Sequence, residues 1–224
     1  MLKAVRTLAT IGVVVTLGAV TVLTRSPQVP SPEAARDLTN PAAFTETAPA
    51  TFQARFETSA GTFTILVTRS WAPISADRFY NLVKAGFYND CRFFRVVKDF
   101  VAQFGIHGDP AVQAAWNKAV IGADRAKMTN TRGRIAFATA QGATTRATQV
   151  FINFGDNSKK LDAIGFAPFG QVTAGMVLVD RVFSGYGEGP DPVKFLAGGN
   201  AFLLKSLPGL DYIKTATLVE PPGK

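Results

Sequence analysis

The sequence predicts a mainly β domain in the form of a closed barrel capped by helices. Three observations support this prediction. Short segments rich in β-branched and aromatic residues recur between residues 51 and 220, and helical periodicity is confined to two stretches. The chain has 224 residues, is 47% hydrophobic and contains 18 Phe, 4 Tyr and 2 Trp, which is enough apolar material for one substantial core.

The predicted strands begin with a hairpin. Residues 52–57 and 62–68 have strand-like composition, and Ser59, Ala60 and Gly61 form the turn between them. The aromatic and β-branched composition of later segments predicts further strands. These are residues 91–97, 100–104, 134–139, 149–154, 170–173 and 212–219.

Two helices are predicted among these strands. Pro73 fits the first turn of one helix, in which Phe79, Leu82 and Val83 mark an apolar face at helical spacing. A second, shorter helix is predicted over residues 176–183. In this interpretation the two helices cap the barrel.

Two long connections interrupt the pattern of strands. The insertion 109–131 contains residues 113–120, which have the composition of a short helix that would pack Trp116 on the barrel. Residues 190–207 are predicted as a second long connection with a turn at 198–200. Such connections frame binding grooves in many folds.

The amino-terminal segment has the pattern of a targeting signal. Lys3 and Arg6 precede an uncharged run over residues 7–24, and Arg25 ends the run. This pattern is typical of a signal peptide or of a signal-anchor transmembrane helix, and both interpretations stay open. The excess of positive charge before the run predicts that the rest of the chain is extracytoplasmic, either anchored in the membrane or secreted or periplasmic.

The remaining boundaries follow from composition. Residues 1–25 form the signal or anchor, and residues 26–50, with their many prolines, are predicted to be a flexible linker. A single domain is predicted for residues 51–220, followed by a short tail at 221–224.

The counts of reactive residues exclude several kinds of site. One cysteine excludes internal disulfides and cysteine-rich metal sites, and one histidine excludes histidine clusters. The formal net charge of +8 raises the hypothesis of a basic nucleic-acid-binding barrel. The basic residues are scattered, however, and no aromatic–basic signature of an RNA-binding sheet is present, so the sequence does not favour a nucleic-acid partner.

Three groups of residues carry the functional signal. Arg95 lies mid-strand within the segment 93–103, and Gln103 follows eight residues later. Segments 137–140 and 149–153 form the second group, and residues 161–170 form the third. A charged residue within an apolar strand is usually paired or functional, and a solvated barrel face is the alternative interpretation of Arg95.

Taken together, these segments resemble the cyclophilin family of peptidyl-prolyl cis-trans isomerases. The resemblance extends from about residue 55 to residue 219, and segments 93–103 and 148–153 are its most specific parts. It implies an eight-stranded antiparallel β-barrel with a helix at each end. It also implies an isomerase that acts on proline-containing polypeptides as a monomer, with no cofactor and no metal.

The resemblance also implies roles for individual residues. Arg95 corresponds to the catalytic arginine of the family, and Gln149 to the glutamine that supports it. Ala138, Thr139 and Ala140 resemble the short strand beside which the substrate backbone lies. The implied proline pocket consists of Phe100, Val101, Gln103, Phe151, Leu161 and Phe166.

Three positions depart from the family pattern. Val101 stands where methionine is common, which implies a slightly roomier pocket. Lys160 replaces a tryptophan that contributes to cyclosporin binding in many eukaryotic members, so we do not expect tight cyclosporin binding. Phe166 replaces a pocket histidine, which leaves the reaction possible because bond rotation needs no acid–base step.

Alternatives remain open at this point. A non-catalytic module that binds proline-containing segments as a chaperone or scaffold would share the fold and the pocket. His107 is predicted to be an exposed loop histidine, and Cys91 a small buried residue. The glycine-rich segment 185–189 follows a helix and lacks the Lys-Ser/Thr pair of a phosphate-binding loop, so it is predicted to be a solvent loop.

Overall fold

The computed structural model of the chain describes residues 37–139 and 144–219. Two short 3-10 helices, Pro41–Ala43 and Arg69–Trp71, flank the first hairpin. The strands are β1 (Thr51–Thr58), β2 (Gly61–Thr68), β3 (Arg95–Val97), β4 (Val101–Phe104), β5 (Ile121–Gly122), β6 (Arg134–Phe137), β7 (Thr145–Arg146), β8 (Val150–Asn153), β9 (Gly170–Ala174) and β10 (Ile213–Val219). The helices are α1 (Pro73–Lys84), α2 (Pro110–Lys118), α3 (Ser158–Leu161), α4 (Met176–Val179) and α5 (Pro192–Ser206).

Eight strands form one antiparallel sheet in the order β10-β1-β2-β9-β6-β8-β4-β3. This order confirms the predicted eight-stranded, mainly β architecture, but the prediction of a closed barrel was wrong. In the described residues the edge strands β3 and β10 share no ladder, and an isolated bridge joins Arg92 to Tyr212. Residues 91–93 contact 211–213 through irregular hydrogen bonds, so the predicted strand over 91–97 shortens to β3 and the sheet is a half-barrel.

The interior of the half-barrel is dominated by aromatic side chains. Phe56 is fully buried and stacks on Phe63, with ring centroids 5.0 Å apart and planes within 3° of parallel. The edge of Phe104 meets the ring of Phe56 at 5.7 Å, and Phe79 contacts it from α1 at 6.1 Å. Large aromatic surfaces of this kind supply most of the burial that stabilises the domain.

Strands β4, β6 and β8 bury side chains on both faces. Their inner side chains, such as Phe104, Ile135 and Ile152, belong to the main core. Because successive strand residues alternate between faces, the neighbouring side chains point outward. The outward side chains of Val101, Ala136 and Phe151 form a second cluster with Leu161 of α3, and Phe100, Ala138 and Phe166 pack against it.

The helices differ from the prediction of two capping helices. Helix α1 lies where it was predicted, and α4 ends at Val179 rather than at Phe183. The connection 190–207, predicted as a long connection with a turn, contains α5, because the Asp191 carboxylate caps its first turn and Phe195 is fully buried. The turn predicted near residues 198–200 survives as a kink at Gly199, whose φ of 55° favours glycine.

The second half of the predicted linker is packed against the domain. Across residues 37–50, Phe44 and Ala48 are buried, and the Trp116 indole N–H donates to the Leu38 carbonyl at 2.9 Å. The Asn81 side-chain amide donates to the carbonyl of Glu46 at 2.7 Å. The prediction of a flexible linker therefore does not hold for residues 37–50, because apolar side chains between the prolines bury on α1 and α2.

Other predictions fall partly outside the described residues. The signal or anchor over residues 1–25, the first part of the linker and the tail at 221–224 all lie there. Among the residues that the structure describes, no helix is both long and apolar enough to cross a membrane. Cys91 is fully buried, as predicted, and burial raises the pKa of its thiol.

His107 differs from the prediction of an exposed loop residue. Its ring is half-buried and lies 5.1 Å from the ring of Phe87. Its Nδ1 accepts a hydrogen bond from the Asp109 backbone N–H at 3.0 Å, which assigns a neutral ring. Burial lowers the pKa of His107, and this outweighs the opposing influence of Asp109 and Asp90.

We therefore expect His107 to make the stability pH-dependent. The unfolded chain binds a proton on this imidazole near the ordinary pKa of histidine, about 6.5, whereas the folded chain binds it at a lower pH. The free energy of unfolding should decline as the pH falls from about 7.5 to 5.5. Urea unfolding of wild type and of His107→Asn, which keeps an acceptor without titrating, measures this. Equal pH slopes for the two proteins would contradict the assignment.

Candidate active site

Several of the predicted site residues lie on the outer face of β3, β4 and β8, beside β6. Antiparallel register places Arg95 opposite Gln103, Gln103 opposite Phe151, and Phe151 opposite Ala136. Directly opposed residues project from the same face of a sheet, so these four side chains form one continuous row. The row begins with a cation at the sheet edge and ends with apolar side chains towards the sheet centre.

An open cavity of about 100 Å³ lies over this row. Phe151 and Phe166 form one wall in an edge-to-face contact, with ring centroids 5.3 Å apart. A larger cleft of about 300 Å³ lies beside Arg132 and Asp180, and it contains none of the predicted site residues. The smaller cavity brings together nine of the eleven predicted site residues: Arg95, Phe100, Val101, Gln103, Ala138, Thr139, Phe151, Leu161 and Phe166.

The other two predicted residues have different positions. Gln149 does not line the cavity, and its Oε1 accepts a hydrogen bond from Gln103 Nε2 at 2.9 Å. Gln103 Oε1 in turn accepts from Arg95 Nη1 at 3.2 Å. Gln149 thus reaches the arginine through Gln103. Ala140 lies outside the described residues.

Arg95 has further contacts within the site. Its guanidinium carbon lies 5.5 Å from the ring centroid of Phe100, in cation–π range. Its Nε donates to Glu188 Oε2 at 2.7 Å. Sequence reasoning missed Glu188, because 93 positions separate it from Arg95 and no local pattern marks the contact. The segment 185–189 is therefore not merely the solvent loop that was predicted.

A network of buried asparagines forms hydrogen bonds to the backbone of two cavity residues. Asn157 Nδ2 donates to the Phe100 carbonyl at 2.9 Å, and Asn130 Nδ2 donates to the Phe166 carbonyl at 2.9 Å. Asn153 joins the two, because it accepts from Asn157 at 2.9 Å and its amide lies 3.4 Å from Asn130 Oδ1. The carbonyl groups of two cavity residues are therefore held by side chains that are almost completely buried.

Cations lie over the aromatic walls of the cavity. Lys160 Nζ is 5.4 Å from the ring centroid of Phe100, and the Arg146 guanidinium is 5.7 Å from that of Phe166. Arg146 is mostly buried, and burial lowers its pKa. Its Nη2 donates to the Gly165 carbonyl at 3.2 Å, which ties the guanidinium to the segment that carries Phe166.

Comparison with known proteins assigns the chain to a family. Residues 53–194 match the family model described as cyclophilin type peptidyl-prolyl cis-trans isomerase/CLD. The matched region contains most of β1, the whole of β2 to β9 and every residue of the cavity. The chain belongs to the cyclophilin-type isomerase family. The family resemblance seen in the sequence is thereby confirmed, and the enzyme class is that of a cofactor-independent peptidyl-prolyl cis-trans isomerase.

Curated relatives agree with this assignment. Peptidyl-prolyl cis-trans isomerase A of Dickeya dadantii is 34% identical over 129 residues, which cover 56% of this chain and 67% of the relative. A peptidyl-prolyl cis-trans isomerase of Acinetobacter baylyi is 34% identical over 130 residues, covering 56% and 69%. Peptidyl-prolyl cis-trans isomerase B of Escherichia coli is 30% identical over 133 residues, covering 57% and 81%.

Solved structures share the fold at lower identity. A Cryptosporidium parvum cyclophilin-type isomerase has a TM-score of 0.56 and 18% identity, and the match covers 77% of this chain and 99% of that one. A second structure of that protein, solved in the presence of the dipeptide Ala-Pro, has a TM-score of 0.55 and 18% identity, with coverage of 75% and 99%. This similarity supports the eight-stranded architecture.

We expect Asn130→Ala to weaken both stability and substrate binding. The Phe166 carbonyl loses its side-chain donor, and an unsatisfied buried group costs about 1–3 kcal/mol of unfolding free energy. The cavity wall shifts, so KM for a prolyl peptide should rise roughly two- to tenfold. Urea unfolding and isomerase kinetics measure the two effects.

Asn81→Ala is the matched control for this experiment. Asn81 lies on α1, away from the cavity, and is buried to a similar degree. Its side-chain amide donates hydrogen bonds to the carbonyls of Glu46 and Asp77. Its loss should destabilise the domain similarly and leave KM unchanged. An equal rise of KM in both variants would contradict a specific role of Asn130 at the cavity.

Proposed function

We propose that this isomerase accelerates rotation about X–Pro bonds by using Arg95 to weaken amide resonance. Uncatalysed rotation about a peptide bond faces a barrier of about 18–20 kcal/mol, and X–Pro isomers interchange in tens of seconds or more. The observation that carries the proposal is the placement of a guanidinium at the rim of an apolar cavity, where Gln103 and Glu188 hold it.

The cavity suits a proline ring. Phe100, Val101, Phe151, Leu161 and Phe166 supply apolar walls, and the volume of about 100 Å³ matches a small ring rather than a large side chain. A ring held there remains fixed while the preceding carbonyl swings. In support, the related Cryptosporidium parvum enzyme was solved in the presence of the dipeptide Ala-Pro.

Arg95 provides the electrostatic part of the mechanism. As the bond twists, the prolyl nitrogen becomes pyramidal and its lone pair leaves resonance with the carbonyl. A guanidinium N–H that donates to this lone pair is bound more strongly in the twisted state than in either planar isomer, which is the requirement for catalysis. Ala138 and Thr139 border the cavity where the peptide backbone would lie, and no proton transfer is required.

Gln103 and Gln149 contribute by orientation. An arginine side chain loses considerable rotamer freedom when it is fixed in one place. The chain of hydrogen bonds from Gln149 through Gln103 to Arg95 Nη1 meets that requirement before the substrate arrives. We assign Gln103 and Gln149 to support of the arginine, with Gln103 also at the edge of the proline pocket.

The proposed place of action is outside the cytoplasm. Lys3 and Arg6 precede the uncharged run 7–24, the arrangement of a signal peptide or anchor with a translocated carboxyl-terminal part. The clients would then be secreted or envelope polypeptides whose folding waits on prolyl isomerisation. The enzyme would act on them as a monomer and contact the membrane solely through its amino-terminal segment.

We expect Arg95→Ala to lower kcat/KM about tenfold or more. A tenfold loss corresponds to a rise of roughly 1.4 kcal/mol in the activation free energy. A protease-coupled assay with a prolyl peptide measures the change. Arg55→Ala is the matched control, because Arg55 forms an exposed ion pair with Glu57 on β1 and should be dispensable. Full activity of Arg95→Ala would overturn the mechanism. No turnover in the wild type, with peptide binding retained, would instead favour the proline-binding scaffold.

Cell fractionation and sequencing of the mature amino terminus test the location. An intact Met1 in the membrane fraction supports an anchor. A terminus that begins near residues 25–36 in the extracytoplasmic fraction supports a cleaved signal. A full-length soluble chain in the cytoplasm would contradict the proposed location.

A further inference from the structure

The ion pair between Arg95 and Glu188 is the least expected contact of the site. The Glu188 carboxylate accepts from Arg95 Nε at 2.7 Å, whereas Gln103 accepts from Nη1 of the same guanidinium. The side chain of Arg95 is 25% exposed and that of Glu188 is 74% exposed. The carboxylate therefore approaches the arginine from the solvent side, and the glutamine approaches it from within the sheet.

The backbone of the glycine-rich loop holds Glu188 in this position. The Gly187 carbonyl accepts a hydrogen bond from the Val96 N–H at 3.0 Å, which joins the loop to β3 directly beside Arg95. The Gly189 N–H donates to the Tyr186 carbonyl at 2.9 Å and closes a tight turn around Glu188. One backbone hydrogen bond therefore joins the loop to the edge strand β3.

Gly189 makes the close approach possible. Its φ of 86° lies in the left-handed region, and a Cβ at this position would collide with the carbonyl oxygen of Phe94. Tyr186 fixes the other side of the turn through an edge-to-face contact with Phe183, with ring centroids 5.3 Å apart. The loop is consequently docked on β3, so the position of Glu188 relative to Arg95 is set by the fold.

We propose that Glu188 is a positioning residue that, together with Gln103, fixes the orientation of the Arg95 guanidinium for catalysis. The two acceptors restrain Nε and Nη1, which defines the plane of the guanidinium. Within the described residues no hydrogen bond involves Nη2, so the fixed plane leaves this nitrogen for the prolyl substrate. This inference rests on the proposed catalytic role of Arg95.

The size of the effect follows from the exposure of the carboxylate. An exposed ion pair has an interaction free energy of at most about 1 kcal/mol. Losing that much stabilisation in the transition state would lower the rate roughly fivefold. A charge-assisted hydrogen bond of 2.7 Å belongs to the stronger members of this class. The loss should fall on kcat, because Glu188 orients Arg95 and does not line the cavity that holds the ring.

The test compares Glu188→Ala and Glu188→Gln with the wild type, using the full 224-residue chain in mild detergent. We expect Glu188→Ala to lower kcat about three- to fivefold and to leave KM for a chromogenic Ala-Pro peptide unchanged. Glu188→Gln keeps an acceptor without the charge and should recover part of the loss. Raising NaCl to about 1 M, where the Debye length is about 3 Å, should lower the wild-type rate towards that of Glu188→Ala.

A double-mutant cycle separates this inference from the proposed mechanism. In an Arg95→Ala background, Glu188→Ala should cause no further loss, because the group that it orients is gone. Glu57→Ala, which breaks the exposed pair with Arg55 on β1, is the matched control and should leave kcat unchanged.

The outcomes are distinguishable. Full activity of Arg95→Ala would overturn the catalytic mechanism itself. If Arg95→Ala is impaired and Glu188→Ala is unchanged or faster, the arginine mechanism stands and the positioning role of Glu188 is refuted. A rise in KM without a fall in kcat would refute it as well, since that result would assign Glu188 to substrate binding.

Discussion

The register of three antiparallel strands is the constraint on which the site depends. Arg95, Gln103 and Phe151 share one face because each lies directly opposite the next across β3, β4 and β8. A slip of one residue in either pairing would turn the affected side chains to the opposite face of the sheet. The aromatic core fixes this register, because Phe104 and Ile152 must remain on the inner face.

Around this row, the fold uses two kinds of support that differ in environment. Below the cavity, Asn130 and Asn157 satisfy the carbonyls of Phe166 and Phe100 within a buried network, where an unmade hydrogen bond is costly. At the rim, Glu188 reaches Arg95 through an exposed ion pair, which water and salt weaken. Buried hydrogen bonds therefore hold the walls of the cavity, whereas the guanidinium is held partly by an exposed ion pair.

Much of this arrangement could be predicted from the sequence, because local signals carry it. Strand composition predicted the sheet, and the resemblance carried by the segments around Arg95, Phe151 and Leu161 implied the residues of the cavity. The remainder depends on contacts between distant residues. Glu188 accepts a hydrogen bond from Arg95, which is 93 positions away in the sequence. Phe44 packs on Trp116, although the prolines of its segment indicate a linker. The prediction of a closed barrel was wrong because residues 91–93 and 211–213 are joined by irregular hydrogen bonds and form no regular strand pairing. Composition does not reveal this difference.

The two-sided burial of β8 has a consequence for how such a protein changes over evolutionary time. Ile152 faces the core and Phe151 faces the cavity, so selection for folding and selection for ligand preference act on alternate codons of one strand. Two other residues near the cavity lie outside the sheet: Lys160 is on α3, and Phe166 is on the segment that follows α3. Substitution of Phe166 would therefore change a wall of the cavity without replacing any residue of the inner core.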